Sequence, residues 1–274
     1  MQMVDVDGVR VPALGFGTWQ MDGAACRDMV REAIALGYRH IDTARMYGNE
    51  AAVGEGIRTA SVPRDEVFVT TKVWFDQLHY GDLKASAEAS LKDLGLDAVD
   101  LLLIHWPNAE VPLSESLRAM EDLQREGKAR HVGVSNFNTS LLREARQKNG
   151  ADIVCNQVEY HPFLSQRPVL DYCRANDMFV TAYCPLAKGE APSDPTLREI
   201  GAKHGKSAAQ VTLRWLIQQP NVAAIPKAAK LEHAKANLDI FDFALDAEDL
   251  ARIEGLPGDR RMIDPSWAPA WDAA

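Results

Sequence analysis

The feature that most constrains this chain is an alternation of eight short apolar runs with stretches of helical spacing. The runs fall at residues 13–16, 39–41, 67–71, 101–104, 132–134, 153–158, 180–182 and 222–225. Helical patterns follow them at 24–36, 50–58, 83–94, 114–126, 140–148, 168–176, 208–218 (after a shorter piece at 195–204) and 233–238. A strand that is apolar throughout needs cover on both faces, and a helix between successive strands makes them parallel. Eight such units can close on themselves, so the expected fold class is α/β, a (β/α)8 TIM barrel, as a single domain over residues 1–274. The rival is an open doubly wound sheet, whose dinucleotide-binding form carries GxGxxG in its first turn. Here that turn reads Gly15-Phe16-Gly17-Thr18-Trp19-Gln20, without the third glycine.

Three segments lie outside the eight units. Residues 4–11 alternate about Asp7-Gly8, a hairpin signal, and are expected to form a lid over one end. Residues 247–253 read as a helix capped by Asp246. The tail, 260–274, carries Pro265, Trp267, Pro269 and Trp271 and is too apolar to hang free; the mouth of the site is its expected seat.

Composition excludes more than it suggests. A net charge of −9 argues against a nucleic-acid partner, which needs a basic footprint. No apolar run approaches the ~18–20 residues of a membrane span. The four cysteines, Cys26, Cys155, Cys173 and Cys184, form no CxxC, and residues 1–10 show no signal-peptide pattern. Reduced thiols and a cytoplasmic location are expected. HExxH and GxSxG are absent, and the histidines show no ligand spacing, so neither a metal nor a serine nucleophile is expected.

In a barrel, chemistry sits at the C-terminal strand ends. Residues 37–50 hold the densest set: a strand ending on Asp42, then Met46 and Tyr47, then Asn49 as a candidate cap of the next helix. The other ends supply Thr18 and Trp19, Lys72, His105 and Trp106, Ser135 and Asn136, Gln157 with Glu159 and His161, Tyr183, and Lys227. Each has a plain reading: a solvent-facing lysine, a core histidine, a helix cap, a surface tyrosine, a turn. What singles them out is coincidence, because an acid, a phenol, an ammonium and an imidazole fall at the same end of three successive strands.

At these residues the chain resembles the aldo-keto reductase family, over nearly its whole length. The matching blocks are Gly15-Phe16-Gly17-Thr18; Gly37 to Ala44 with Tyr47, Asn49 and Glu50; Thr71-Lys72; Leu103 to Pro107; Gly133 to Phe137; Asn156-Gln157; and Ile225-Pro226-Lys227. Within the family it is most similar to the bacterial 2,5-diketo-D-gluconate and methylglyoxal reductases. The resemblance implies reduction of a small-molecule carbonyl by hydride from NADPH, with NADH as the alternative cofactor, by a monomer. It implies Tyr47 as proton donor with Asp42, Lys72 and His105 as its partners. Thr18, Asp42, Ser135, Asn136 and Gln157 would lie at the nicotinamide end, and Tyr183 would stack on the ring. Cys184, Pro185, Leu186 and Ala187 would meet the pyrophosphate; Ile225, Lys227, His233 and Asn237 would meet the adenosine end. Trp19, Met46, Trp74 and Trp106 would wall the substrate pocket with Tyr47 and His105. An ammonium beside a phenol lowers the phenol's pKa, so Tyr47 is expected to be acidified by Lys72.

The chain departs from the family at the far end of the cofactor. The family's Ser, Arg and Glu after the lysine are here Ala228, His233 and Ala236. A neutral His lacks the guanidinium fork, so weaker discrimination of NADPH from NADH is expected. Two rivals stand beside a reductase: a cofactor-sensing binding module on the same barrel, and an aldolase or isomerase using Lys72 as a Schiff-base nucleophile.

Overall fold

The computed structural model describes residues 1–273; the last residue of the expected tail, Ala274, lies outside them. Strands β1 (Met3–Val6) and β2 (Val9–Pro12) pair antiparallel, with Val6 opposite Val9. Asp7 and Gly8 take φ of 48° and 77°, the left-handed turn that suits the twist of a hairpin. Eight further strands form one parallel sheet: β3 (Phe16–Gly17), β4 (His40–Asp42), β5 (Phe68–Val73), β6 (Val99–Ile104), β7 (Ala129–Ser135), β8 (Cys155–Glu159), β9 (Phe179–Tyr183) and β10 (Val222–Ala224).

The ladder closes between its two ends. Leu14 bridges Ala224 and Gly17 bridges Lys227, both parallel. The Gly15 N–H donates to Ala224 O at 2.8 Å and the Gly17 N–H to Pro226 O at 3.1 Å. The sheet is therefore a closed barrel rather than the open rival. Closure needs a residue without a side chain at position 17, where a Cβ would stand 2.7 Å from Ile225 O. The first barrel strand is shorter than expected, because residues 13–15 make the closing bridges rather than a continuous ladder.

The helices are α1 (Gly23–Leu36), α2 (Glu50–Arg58), α3 (Tyr80–Leu94), α4 (Leu113–Arg125), α5 (Thr139–Arg143), α6 (Arg167–Ala175), α7 (Pro195–His204), α8 (Ala208–Gln218), α9 (Leu231–Leu238) and α10 (Ala247–Glu254). Every residue of β6 and of β8 is buried, as strands covered on both faces require. The helix expected over 140–148 forms without a gap, α5 running on into a π-helical turn over Glu144–Lys148. Asp246 caps α10, accepting from the Asp249 N–H at 2.9 Å. Asn49 does not cap α2; its amide donates to Thr18 O at 2.9 Å and Met21 O at 2.8 Å, tying α2 to the loop after β3. No helix among the described residues is long and apolar enough to cross a membrane.

The hairpin sits at the N-terminal end of the barrel, where Pro12 O lies 3.3 Å from the His40 ring at the start of β4. A 380 Å³ cavity at that end is lined by Arg10, Arg130 and Asp100 among others. Its arginines are already paired, Arg10 with Asp5, Arg39 with Glu66 and Arg130 with Asp100. The C-terminal end is left open to loops and to the tail.

Candidate active site

Four polar groups meet at the C-terminal ends of β4, β5 and β6. Lys72 is fully buried, and its Nζ donates to Asp42 Oδ1 at 2.6 Å and to Thr43 O at 2.8 Å. The same nitrogen lies 3.4 Å from the Tyr47 hydroxyl. Asp42 Oδ2 accepts from Gln157 Nε2 at 2.8 Å, so both oxygens of this buried carboxylate are held. His105 packs edge-on to Tyr47, ring centroids 5.7 Å apart, and edge-on to Trp74 at 4.9 Å. Its buried Nδ1 has no hydrogen-bond partner, a cost that proteins tolerate mainly at sites of function.

Local structure brings Tyr47 back to the barrel axis. After Asp42 the chain turns through a short 3₁₀ segment, Arg45–Tyr47, and Thr43 Oγ1 donates to Asn49 Oδ1 at 2.8 Å. The next carboxylate, Glu50, accepts from Thr71 Oγ1 at 2.5 Å and from Arg45 at 3.1 Å. The loop is thus fixed at both ends, and the phenol is carried on a braced segment.

The electrostatics decide the protonation states. Burial, the largest single effect, would lower the Lys72 ammonium, but the Asp42 carboxylate and the Tyr47 oxygen together outweigh it and hold the pKa above its usual value. His105 is pushed well below its usual value by burial and by Lys72, so the ring is neutral. For Tyr47 the expectation of an acidified phenol needs correction: burial raises its pKa by more than Lys72 lowers it, and Asp42 adds to the rise. Tyr47 rests protonated. The ammonium offsets part of the burial cost and stands ready for the charge that forms when the proton leaves.

The amide-bearing residues cluster beside this quartet. Ser135 Oγ donates to Gln157 O at 2.8 Å, and Thr18 Oγ1 donates to Asp42 O at 3.0 Å. Asn136 takes a φ of 62°, donates to His105 O at 2.9 Å and accepts from the Tyr183 hydroxyl at 2.7 Å. Burial pushes that Tyr183 phenol well up. Beyond β9 the loop Cys184, Pro185, Leu186, Ala187 has positive φ at Cys184 and Ala187, both 51°. Left-handed residues other than glycine are uncommon, and they gather at ligand sites. A groove of 410 Å³ opens beside this loop, between Lys188, Glu190 and Arg260. Ile225 is buried after β10, while Lys227 and His233 are exposed and Asn237 is buried under α9.

The apolar walls also assemble. Trp19 lies 4.8 Å from the Tyr47 ring, and Trp106 is buried next to His105 in sequence. Trp19 and Met46 are exposed, so the pocket is open on their side. The tail closes the opposite side. Trp267 stacks on Phe75 at 5.3 Å and Trp271 meets Trp106 edge-on at 6.1 Å. Asp272 fixes the tail by accepting from Thr139 N and Oγ1, each at 2.8 Å. Sequence reasoning did not pick out Phe75, which carried no polar signal. It noted Glu159 and His161 at a strand end without a role. Glu159 is completely buried and binds the tail backbone, accepting from Met262 N at 2.7 Å and Ile263 N at 2.8 Å. A charged residue ending an otherwise apolar run was the available signal.

Residues 13–257 match the model of the aldo/keto reductase family. The chain is 40% identical over 266 residues to methylglyoxal reductase DkgB of Salmonella typhimurium, covering 96% of this chain and 99% of that one. It is 42% identical over 260 residues to a 9,11-endoperoxide prostaglandin H2 reductase of Trypanosoma cruzi, covering 93% and 91%. The crystal structure of a candidate 2,5-diketo-D-gluconic acid reductase B superposes with a TM-score of 0.96 at 47% identity, covering 100% of this chain and 98% of that one. An eight-stranded closed barrel, the Asp42–Lys72–Tyr47–His105 constellation at its C-terminal end and a match over most of the length lead to one conclusion: this chain belongs to the aldo/keto reductase family.

Proposed function

We propose that the chain reduces small aldehydes and ketones to alcohols with NADPH as its preferred hydride donor, Tyr47 giving the proton. The observation that carries this reading is the Lys72 ammonium, held between Asp42 and the Tyr47 hydroxyl, 2.6 Å from one and 3.4 Å from the other. When bound, NADPH supplies the hydride. All other steps belong to the protein. Neutral His105 hydrogen-bonds the carbonyl oxygen and sets its angle. The Tyr47 hydroxyl donates its proton to that oxygen, and Lys72 stabilises the phenolate left behind. Asp42 keeps Lys72 charged and in place. Trp74 and Trp106 wall the reacting atoms, and Trp19 and Met46 flank the open side of the pocket. All these groups come from one domain of one chain, so the site is complete in a monomer.

The residues fit a nicotinamide dinucleotide. Ser135, Asn136 and Gln157 offer amide and hydroxyl groups at the strand ends, and Tyr183 offers a ring face beside them. The left-handed turns at Cys184 and Ala187 are suited to backbone contact with a pyrophosphate. Lys227 and Lys230 favour the extra phosphate of NADPH, but Glu232 lies 3.7 Å from Lys230 and 3.8 Å from His233, which weakens the positive field. The preference for NADPH over NADH is therefore expected to fall below about a thousandfold, or ~4 kcal/mol.

A Schiff-base role for Lys72 is disfavoured, because an ammonium paired with Asp42 is a poor nucleophile; borohydride trapping should leave it unlabelled. The decisive experiment follows cofactor absorbance with methylglyoxal for the wild type and for Tyr47→Phe. Turnover by the wild type and its loss in the variant, with coenzyme binding intact, supports the reading. Wild-type velocity in a folded Tyr47→Phe protein would falsify it.

A further inference from the structure

One buried acid has no part in the chemistry described so far. Glu159, the last residue of β8, is completely buried. Its two oxygens accept from the tail backbone, Oε1 from Met262 N at 2.7 Å and Oε2 from Ile263 N at 2.8 Å. His161 Nε2 also donates to Oε1, at 2.9 Å; Phe163 N donates to His161 Nδ1 at 3.3 Å, which leaves the ring hydrogen on Nε2. Among the described residues these three N–H groups are its donors, and no lysine or arginine pairs with it. A buried carboxylate without a cation is a costly way to fill a strand end, and an apolar side chain would fill the space without that cost. What the carboxylate gains is a grip on a segment 103 residues further along the chain.

The grip matters for what the tail carries. Residues 264–271 form a loop pinned at both ends: Glu159 holds its base, and beyond it Asp272 accepts from Thr139 N and Oγ1. Within the loop Trp271 donates from Nε1 to Asp264 at 2.8 Å. Two lines of rings run from this loop to the reacting end of the site. Trp267 stacks on Phe75 at 5.3 Å, Phe75 meets Trp74 at 5.2 Å, and Trp74 meets His105 at 4.9 Å. Trp271 meets Trp106, the residue after His105, at 6.1 Å. Trp267 is therefore the third ring out from His105 on its line. A short substrate bound at His105 ends well before it, whereas an extended aromatic one reaches outwards along the rings.

We infer that Glu159 is a specificity-determining positioning residue: by fixing Met262 and Ile263 it sets the outer wall made by Trp267 and Trp271, and so favours extended aromatic aldehydes and ketones. This rests on the carbonyl-reductase reading above and deepens it to a substrate class. The carboxylate suits the role because both of its oxygens accept. A glutamine of the same shape would turn an N–H donor towards a backbone N–H, which frees the tail without emptying the space. Gln157, which holds Asp42, lies two residues earlier on β8 and so on the same side of the strand. One strand end thus fixes both the acid beside Lys72 and the wall that meets the far end of the substrate.

The test compares methylglyoxal with 2-naphthaldehyde, a short substrate and an extended one. Both are assayed with wild type, Glu159→Gln, the pair Trp267→Ala/Trp271→Ala, and all three changes together. Release of the tail by trypsin at Arg260 and Arg261 is followed in parallel by mass spectrometry. In Glu159→Gln the KM for 2-naphthaldehyde is expected to rise about fivefold or more. Its kcat, and both constants for methylglyoxal, should stay within about twofold, and the tail should be released faster. In the Trp267→Ala/Trp271→Ala background the same substitution should change that KM by less than about twofold, because a residue acting through the two rings has nothing left to place. Equal losses for both aldehydes would overturn the assignment, since that is what a merely structural role gives; so would an undiminished effect on top of the two tryptophan changes. Should Glu159→Gln not fold, Ile263→Pro removes one N–H from the tail side and leaves the barrel intact. It must show the same selective rise, and an unchanged KM there would overturn the proposal. If the wild type turns over neither aldehyde, carbonyl reduction itself fails; reduction of both, with no size-dependent change in the variants, sinks only the Glu159 assignment.

Discussion

Replacing Lys72 by Met removes the ammonium and keeps the length of the side chain. Three contacts disappear: Asp42 Oδ1 at 2.6 Å, Thr43 O at 2.8 Å and Tyr47 OH at 3.4 Å. The catalytic loss comes from the third. A unit charge 3.4 Å from a forming phenolate is worth about 5 kcal/mol at an effective dielectric of ~20. If most of that is realised in the transition state, kcat falls by roughly three orders of magnitude. The stability loss comes from the first, because Asp42 is left buried with Gln157 as its remaining side-chain donor. Breaking a buried pair costs about 3–5 kcal/mol, less whatever Asp42 recovers by taking up a proton. Two measurements separate the effects. Stopped-flow single turnover at saturating NADPH reads the chemical step, and thermal unfolding reads stability. The double variant Asp42→Asn/Lys72→Met should recover much of the melting temperature and none of the rate. A Lys72→Met protein that binds coenzyme normally and turns over within tenfold of the wild type would refute the electrostatic account of Tyr47.

Three further outcomes are expected. Buried phenols should make the fold fail in alkali: Tyr160 is pushed up to about 12 and Tyr38 and Tyr183 are raised as well, so the native state keeps protons that the unfolded chain has lost. Their contribution is full below about pH 10 and falls as pH rises towards the folded values, by about 1.4 kcal/mol per pH unit for each phenol, which urea titrations at pH 8, 10 and 11 would detect. Gly17→Ala should destabilise by about 1–3 kcal/mol, because its Cβ meets a backbone carbonyl at the barrel seam, 2.7 Å away; an unchanged denaturation midpoint would contradict that. Trp267→Ala should raise KM for bulky aldehydes several-fold with little change in kcat, since it removes the face stacked on Phe75 and leaves the Tyr47 group untouched; equal loss in both constants would count against a wall role.

The barrel was legible in the chain because its units repeat. Apolar runs of strand length, each followed by a helical pattern, leave few ways to cover every strand, and the strand ends then place Asp42, Lys72 and His105 side by side. Asp246 as a helix cap and Asp7-Gly8 as a turn were equally local and were realised as read. Local signals failed where a tertiary partner competed. Asn49 had the chemistry of a cap, but the Thr43 hydroxyl took its side-chain oxygen, and two carbonyls of the loop after β3 took its amide N–H groups. The helix expected over 140–148 did form, with its second half widened to π spacing.

The phenol shows the same division most clearly. Residue types determine that an ammonium close to Tyr47 lowers its pKa; only the packed site determines how much water is lost, and here desolvation is the larger effect. The sequence by itself determined the strand count, the parallel order and the inventory of chemical groups, because these follow from periodicity and residue type. The tertiary structure decided the seam at Gly17 and the burial of Glu159 against the tail, because each depends on which distant segments come within a few ångströms of one another.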